Sequence, residues 1–216
     1  MHETSVGRRD YALLGGILAV ALFLASFIVV YGVGTVPDRN DASPADFAQY
    51  FQQEDGSIWL GSLLMGLAAV AFLFYVGALR SVLSGSRLSG TLLAGGIGTA
   101  VLILCNIAPP LSGAVLVSDR DSPIDPSTAT TLMFLGDGFF IAAFYAAAVF
   151  VGAAGLAVLR TGVLPRWLGW VSLVLALVMM IPWFGFLGFI FLFPVWIVGT
   201  TLWLWSRPAM AAAPAV

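Results

Sequence analysis

The stretch YALLGGILAVALFLASFIVVYGV, residues 11–33, decides the fold class, because no charged side chain interrupts it. At a rise of about 1.5 Å per residue, a helix of this length crosses the roughly 30 Å hydrocarbon core of a bilayer. Arg8 and Arg9 stand just before it, as in an export signal, but the run is too long for a signal peptide and ends without a clear cleavage site. We therefore expect an uncleaved first transmembrane helix.

Four more apolar runs follow this first one. The last, 167–205, is too long for one helix, and Pro182 and Gly185 in its middle supply a break, since Pro and Gly end helices. We therefore predict an all-α integral membrane protein, a six-transmembrane-helix bundle that forms one domain over residues 1–216. The predicted spans are about 11–33, 58–79, 88–108, 137–159, 167–183 and 186–205.

The composition supports this prediction. Charged residues make up 9% of the chain, against roughly 25% in a soluble domain. With 60% hydrophobic residues, the chain cannot cover its own surface with polar groups. Lipid must cover that surface instead.

The distribution of arginine predicts the orientation of the bundle. All nine basic residues are Arg, and with the N-terminus inside, seven of them fall in cytoplasmic segments. The outer loops then hold only Arg39 and Arg120, together with eight of the eleven acidic residues. This bias is what the positive-inside rule requires, so both termini are expected in the cytoplasm. The cytoplasmic arginines are Arg8, Arg9, Arg80, Arg87, Arg160, Arg166 and Arg207.

Two outer segments carry helix-start signals. Ser43 and Asp46 flank a Pro, the pattern of a capped helix N-terminus, and Phe47, Tyr50 and Phe51 then share one face. This predicts a short amphipathic helix on the outer surface. Asp125 and a following Pro predict a second helix start, and a helix from there to the end of the fourth apolar run is about 50 Å long. Such a helix either projects outward or breaks near residues 136–138.

The residue inventory excludes several cofactors. The chain has no Lys for a Schiff base or a P-loop, its one His is His2 on the N-terminal tail, and Cys105 is its only Cys. Bis-His haem, zinc sites and Ser-His-Asp triads lack the side chains that they need. We therefore expect no cofactor and no metal.

Asp137 is the one acid inside a predicted span, and ionisable groups within spans usually face an interior. It lies about one membrane thickness from Arg160, near the outer boundary, and Asn106 comes out at a similar depth. We predict that Asp137 and Asn106 form an outward-facing polar site beneath the amphipathic helix, with Cys105 and Trp59 beside it. The alternative is that Asp137 is hydrated at the interface or accepts hydrogen bonds from a neighbouring helix.

The stretch VLRTGVLPRWLGW, residues 158–170, resembles a V-L-R-x-G-x-L-P-R-W-L-G-W motif in uncharacterised multi-pass membrane proteins of actinobacteria. The resemblance covers the general plan of most of the chain. It implies a multi-pass protein of the bacterial inner (plasma) membrane, in a family described as a domain of unknown function. It implies no activity.

Three functions stay open. A non-catalytic membrane subunit, or a partner- or lipid-binding protein, is favoured because no polar constellation typical of catalysis is present. A small transporter or channel is the first alternative, although the predicted midplane carries almost no polar group. An intramembrane enzyme acting on lipid or isoprenoid substrates is the second, and needs paired acids or a metal. We expect membrane lipids as partners, leave open a second copy of the chain or a membrane complex, and expect no nucleic acid.

Overall fold

The computed structural model describes residues 11–33, 36–120 and 123–206. Within these ranges the chain folds into helices and contains no strand. The predictions that concern Arg8, Arg9, Arg207 and His2 lie outside the described residues. The helices are α1 Leu14–Phe27, α2 Pro44–Gln53, α3 Asp55–Val82, α4 Ser89–Arg120, α5 Pro126–Thr161, α6 Arg166–Met180, α7 Pro182–Leu187 and α8 Phe193–Ser206.

Five helical stretches of the described chain are long and apolar enough to cross a membrane, as expected for a multi-pass membrane protein. One short 3₁₀ turn, Tyr11–Leu13, precedes α1, and two π-helical segments occur: Ile28–Val33 extends α1, and Gly188–Leu192 joins α7 to α8. The apolar α6 is shorter than the other candidates, with 15 residues. The five candidate stretches are Tyr11–Gly32, Asp55–Val82, Ser89–Asp119, Pro126–Thr161 and Trp183–Ser206.

The fourth long helix settles an alternative that the sequence left open. Asp125 caps α5 by accepting a hydrogen bond from the Thr128 N–H at 3.0 Å, and the helix then continues unbroken through Gly136 and Gly138 to Thr161. α5 therefore extends beyond the thickness of a membrane core rather than breaking at its glycines.

One helix extends well past its predicted end, because α4 continues past residue 108, through Pro109 and Pro110, to Arg120. At the motif of residues 158–170, the left-handed Gly162 (φ 66°) ends α5, and Pro165 precedes α6 as its N-cap. The predicted break near Pro182 is present, because Ile181, the residue before it, takes an extended conformation that ends α6.

The core is filled by rings where helices stand apart and by glycine where they touch. α1 packs against α3 and α8, α3 against α4, α4 against α5, and α5 against α6. A Cβ added to Gly95 would lie 2.6 Å from the backbone nitrogen of Phe150, so α4 and α5 meet at backbone distance there. The aromatic centre comprises Phe72, Tyr75, Phe150, Phe189, Phe193 and Trp196.

The amphipathic helix α2 is present where it was predicted. The Asp46 carboxylate accepts hydrogen bonds from the Ser43 N–H at 2.7 Å and from the Ser43 hydroxyl at 2.8 Å, which fixes its first turn. Phe47, Tyr50 and Phe51 are all buried. They pack on the ends of α3, α4 and α5 that extend past the aromatic centre, so α2 caps the bundle by contact with protein. We call this the α2 end of the bundle.

Candidate functional site

A cavity of about 100 Å³ lies directly beneath α2. Its walls come from α1 with its π-helical extension, the segment before α2, and α2 to α5. Its lining includes Ser26 of α1 and Asp137 of α5, two helices that pack on different neighbours in the bundle. Its polar lining consists of Ser26, Tyr31, Arg39, Tyr50, Ser62, Asn106 and Asp137.

Arg39 and Asp137 form a bidentate ion pair at this cavity. Arg39 Nε donates to Asp137 Oδ2 at 2.6 Å, and Nη2 donates to Oδ1 at 2.9 Å. The two side chains are 31% and 30% exposed, so the pair is partly shielded from solvent. Two parallel bonds of this kind fix both distance and orientation. The pair therefore ties the segment before α2 to the first third of α5.

Local structure holds Arg39 in place. The Asn40 N–H donates to the Asp38 side chain at 3.0 Å and the Ala42 N–H to the Asp38 carbonyl at 2.8 Å, so the chain turns tightly around Arg39. Hydrogen bonding to Asp137, aided by Tyr31, raises the pKa of Arg39 further above its ordinary value. The guanidinium is thus a fixed cation at the cavity wall.

Asp137 is positioned through its neighbour Gly136. Asn106 Nδ2 donates to the Gly136 carbonyl at 2.9 Å, and a Cβ at Gly136 would lie 3.0 Å from the Asn106 carbonyl oxygen. That carbonyl has no amide partner one turn ahead in α4, since residue 110 is Pro. The proline pair and the glycine together let α4 and α5 approach closely and present Asp137 and Asn106 on one wall.

The structure places some of the predicted site residues together and separates others. Asp137, Asn106 and Tyr50 line the same cavity. Cys105 and Trp59 do not line it, and Trp59 faces outward. The expectation that they contribute is wrong, because each sits on a different face of its helix from the lining residues.

Two acids near the cavity in sequence, Glu54 and Asp55, are engaged locally. The Glu54 carboxylate accepts a hydrogen bond from the Ser57 hydroxyl at 3.0 Å, and the Asp55 carboxylate accepts one from the Gly56 N–H at 2.8 Å. Both acids lie at the start of α3 and neither lines the cavity. Within the described residues, Asp137 is the one carboxylate on its wall.

Sequence reasoning missed Arg39 as part of the site. It entered only the count of outer-loop charges, although it is one of two arginines on that side and Asp137 the one acid in a span. A lone cation among loop acids and a lone anion in a span form a detectable signal. Their separation of 98 residues hid the pairing.

A second, mostly apolar cavity of about 40 Å³ lies nearer the aromatic centre. Met65 lines both cavities. Each cavity is also lined by a residue of a π-helical segment: Tyr31 lines the first cavity, and Phe189 lines the second. Such segments are frequent at functional sites. The site therefore combines a charged rim with an apolar interior.

No family model, curated protein or solved structure matches the chain. Among the described residues, no group of three or more His, Cys, Asp or Glu side chains is placed to hold a metal ion. What the geometry offers is a charge-neutral ion pair beside a small cavity. This arrangement suits binding of a polar group, since both charges sit at fixed positions.

Proposed function

We propose that the protein is a non-catalytic, six-span protein of a bacterial plasma membrane that binds the polar head of a membrane amphiphile beside Arg39 and Asp137. The observation that carries the proposal is the bidentate ion pair at the wall of a cavity that shares Met65 with a second, mostly apolar cavity. A headgroup has polar atoms for the rim and a chain for the apolar part.

The pattern of charge supports the membrane orientation. Consecutive long helices are antiparallel neighbours, so the α3–α4 turn and the α5–α6 turn lie at one end, opposite α2. Arg80, Arg87, Arg160 and Arg166 belong to this end, which the positive-inside rule assigns to the cytoplasm. α6, a mostly apolar helix of 15 residues, starts there as well and supplies the proposed sixth crossing.

Labelling in intact cells tests the orientation. In a Cys105→Ala background, a membrane-impermeant thiol reagent is expected to modify Asp41→Cys and to spare Gly85→Cys, which lies in the turn between Arg80 and Arg87. Modification of Gly85→Cys from outside would overturn the proposed orientation.

The set of polar side chains that line the cavity also favours binding over catalysis. General acid–base chemistry uses a pair of titratable groups or a metal. The Asp137 carboxylate already accepts two hydrogen bonds from Arg39, and the other cavity-lining polar groups are hydroxyls and one amide. These groups hold a headgroup better than they activate a water.

Filling the cavity tests the binding itself. Ile107→Trp adds an indole at the cavity wall, whereas Ile97→Trp adds one on the exposed face of the same helix and serves as the matched control. We expect native mass spectrometry to find lipid retained on the wild type and on Ile97→Trp, and lost from Ile107→Trp. Equal retention on both variants would contradict the proposal, provided that both melt at the wild-type temperature.

A further inference from the structure

The Arg39–Asp137 pair restricts which headgroup the cavity takes. The two side chains neutralise each other, and both are about two-thirds shielded from solvent. A ligand with one charge would pair with one of them and leave the other without a counter-ion, which is costly in a partly buried place. A ligand with both charges can replace each partner of the pair at once.

Two further side chains point to a ligand. Tyr50 is 4% exposed and Ser62 is 8% exposed, and both line the cavity. Within the described residues no hydrogen bond of either hydroxyl is found, and neither oxygen is among the fully enclosed polar atoms without a partner, so both remain accessible from the cavity. Their hydroxyls are therefore available to a group inside the cavity, where they can donate to an anionic oxygen.

The cavity is large enough for such a group. Its volume of about 100 Å³ is roughly seven to ten times the ~10–15 Å³ that a single water requires, which leaves room for a polar group of several non-hydrogen atoms. The second cavity, which shares Met65 with the first, presents mostly apolar side chains against which the start of an attached hydrocarbon chain can pack. The ion pair, the hydroxyls and the apolar side chains thus offer contacts for a phospholipid's charges and for its tails.

We propose that the cavity binds a zwitterion, a molecule with an ammonium group and an anionic group, such as the phosphoethanolamine head of phosphatidylethanolamine. This inference rests on the proposed function and names its ligand class. The ammonium pairs with Asp137, and the phosphate accepts hydrogen bonds from Arg39 and from the hydroxyls of Tyr50 and Ser62. Without ligand, Arg39 and Asp137 pair with each other, and the bound ligand separates them and pairs with both.

Binding of three probes to the purified protein in detergent tests the inference: a short-chain phosphatidylethanolamine, a phosphatidylglycerol with the same chains, and free phosphoethanolamine. We expect phosphatidylethanolamine to bind about tenfold more tightly than phosphatidylglycerol, a ratio that corresponds to roughly 1.4 kcal/mol. Asp137→Asn should abolish that preference, while Asp41→Asn, which changes an exposed acid in the loop that carries Arg39, should keep it.

The outcomes separate the two proposals. Equal affinity for both lipids would overturn the zwitterion inference and leave headgroup binding standing. Binding of free phosphoethanolamine without either lipid would support a zwitterion site and overturn the membrane-amphiphile function. Binding of no probe would overturn both.

A second pair of variants covers the case in which Asp137→Asn does not fold. Tyr50→Phe and Ser62→Ala each remove a hydroxyl from the cavity and leave the ion pair in place. We expect each variant to bind phosphatidylethanolamine with several-fold lower affinity than the wild type. Unchanged affinity in both variants would show that the hydroxyls do not face the ligand and would overturn the inference.

Discussion

A double-mutant cycle on Arg39 and Asp137 tests whether their ion pair holds the α2 end together. Arg39→Gln leaves the Asp137 carboxylate without its two charged donors, and Asp137→Asn leaves the guanidinium without its counter-ion. The free energy of unfolding should fall in both variants. The double variant should lose little more than either single one, because the interaction is already absent.

The exposure of the two side chains sets the size of the effect. Exposed ion pairs contribute about 0.2–1 kcal/mol, and breaking a buried pair costs about 3–5 kcal/mol. At 31% and 30% exposure this pair lies between those limits. We therefore expect each single variant to lose about 2 kcal/mol and the coupling energy to be about 1–2 kcal/mol.

Reversible unfolding in mixed micelles, followed by tryptophan fluorescence, measures these energies. Asp41→Asn is the control, since this exposed side chain is expected to change stability by less than about 0.5 kcal/mol. Additive losses, with a coupling below about 0.3 kcal/mol, would refute the reasoning, because they would show that the pair contributes no joint stabilisation.

Gly136→Ala should destabilise the bundle by about 1–3 kcal/mol in the same assay, since its Cβ would lie 3.0 Å from the Asn106 carbonyl oxygen. Gly138→Ala is the control and should be neutral or stabilising, because no atom lies within 4 Å of its Cβ. Phe51→Ala should lower the free energy of local unfolding of α2 by about 3–5 kcal/mol and so raise its rate of hydrogen exchange. The control Gln52→Ala, which changes an exposed side chain, should leave that rate unchanged. An unchanged rate in Phe51→Ala would contradict the docking of α2. Burial raises the pKa of Tyr50 to about 12, so the neutral phenol stabilises the fold below pH 10, and this contribution, up to about 2–3 kcal/mol, should disappear as the pH rises from 10 through 12. The free energy of unfolding, measured across that pH range, should fall more steeply for the wild type than for Tyr50→Phe. Equal slopes would contradict the burial of Tyr50.

Local signals made much of the fold predictable. Uninterrupted apolar runs predicted the long helices, and Ser43 and Asp46 predicted the start of α2. Both signals are local, because the length of an apolar run and the capping of a helix depend on neighbours in sequence. The end of α4 was not predictable in the same way. Pro109 and Pro110 normally end a helix, but contact with α5 and α2 carries α4 past them, and that contact is tertiary.

The candidate site shows the same division. Depth along a helix follows from residue counting, so Asn106 and Asp137 could be predicted at one level, and both line the cavity. The side chain that pairs with Asp137 lies in a loop, where no period or spacing fixes its direction. Arg39 reaches Asp137 only because α2 docks on α4 and α5, which the sequence pattern did not specify.

Photolabelling in liposomes tests headgroup binding in the cavity most directly. The probe is a phosphatidylethanolamine that carries a diazirine on its acyl chain, and adducts are mapped by mass spectrometry. We expect an adduct on Met65, which is 8% exposed and lines both cavities, that unlabelled phosphatidylethanolamine removes by competition. Adducts confined to outward-facing residues such as Leu63, with none on Met65, would contradict binding of a membrane amphiphile inside the bundle.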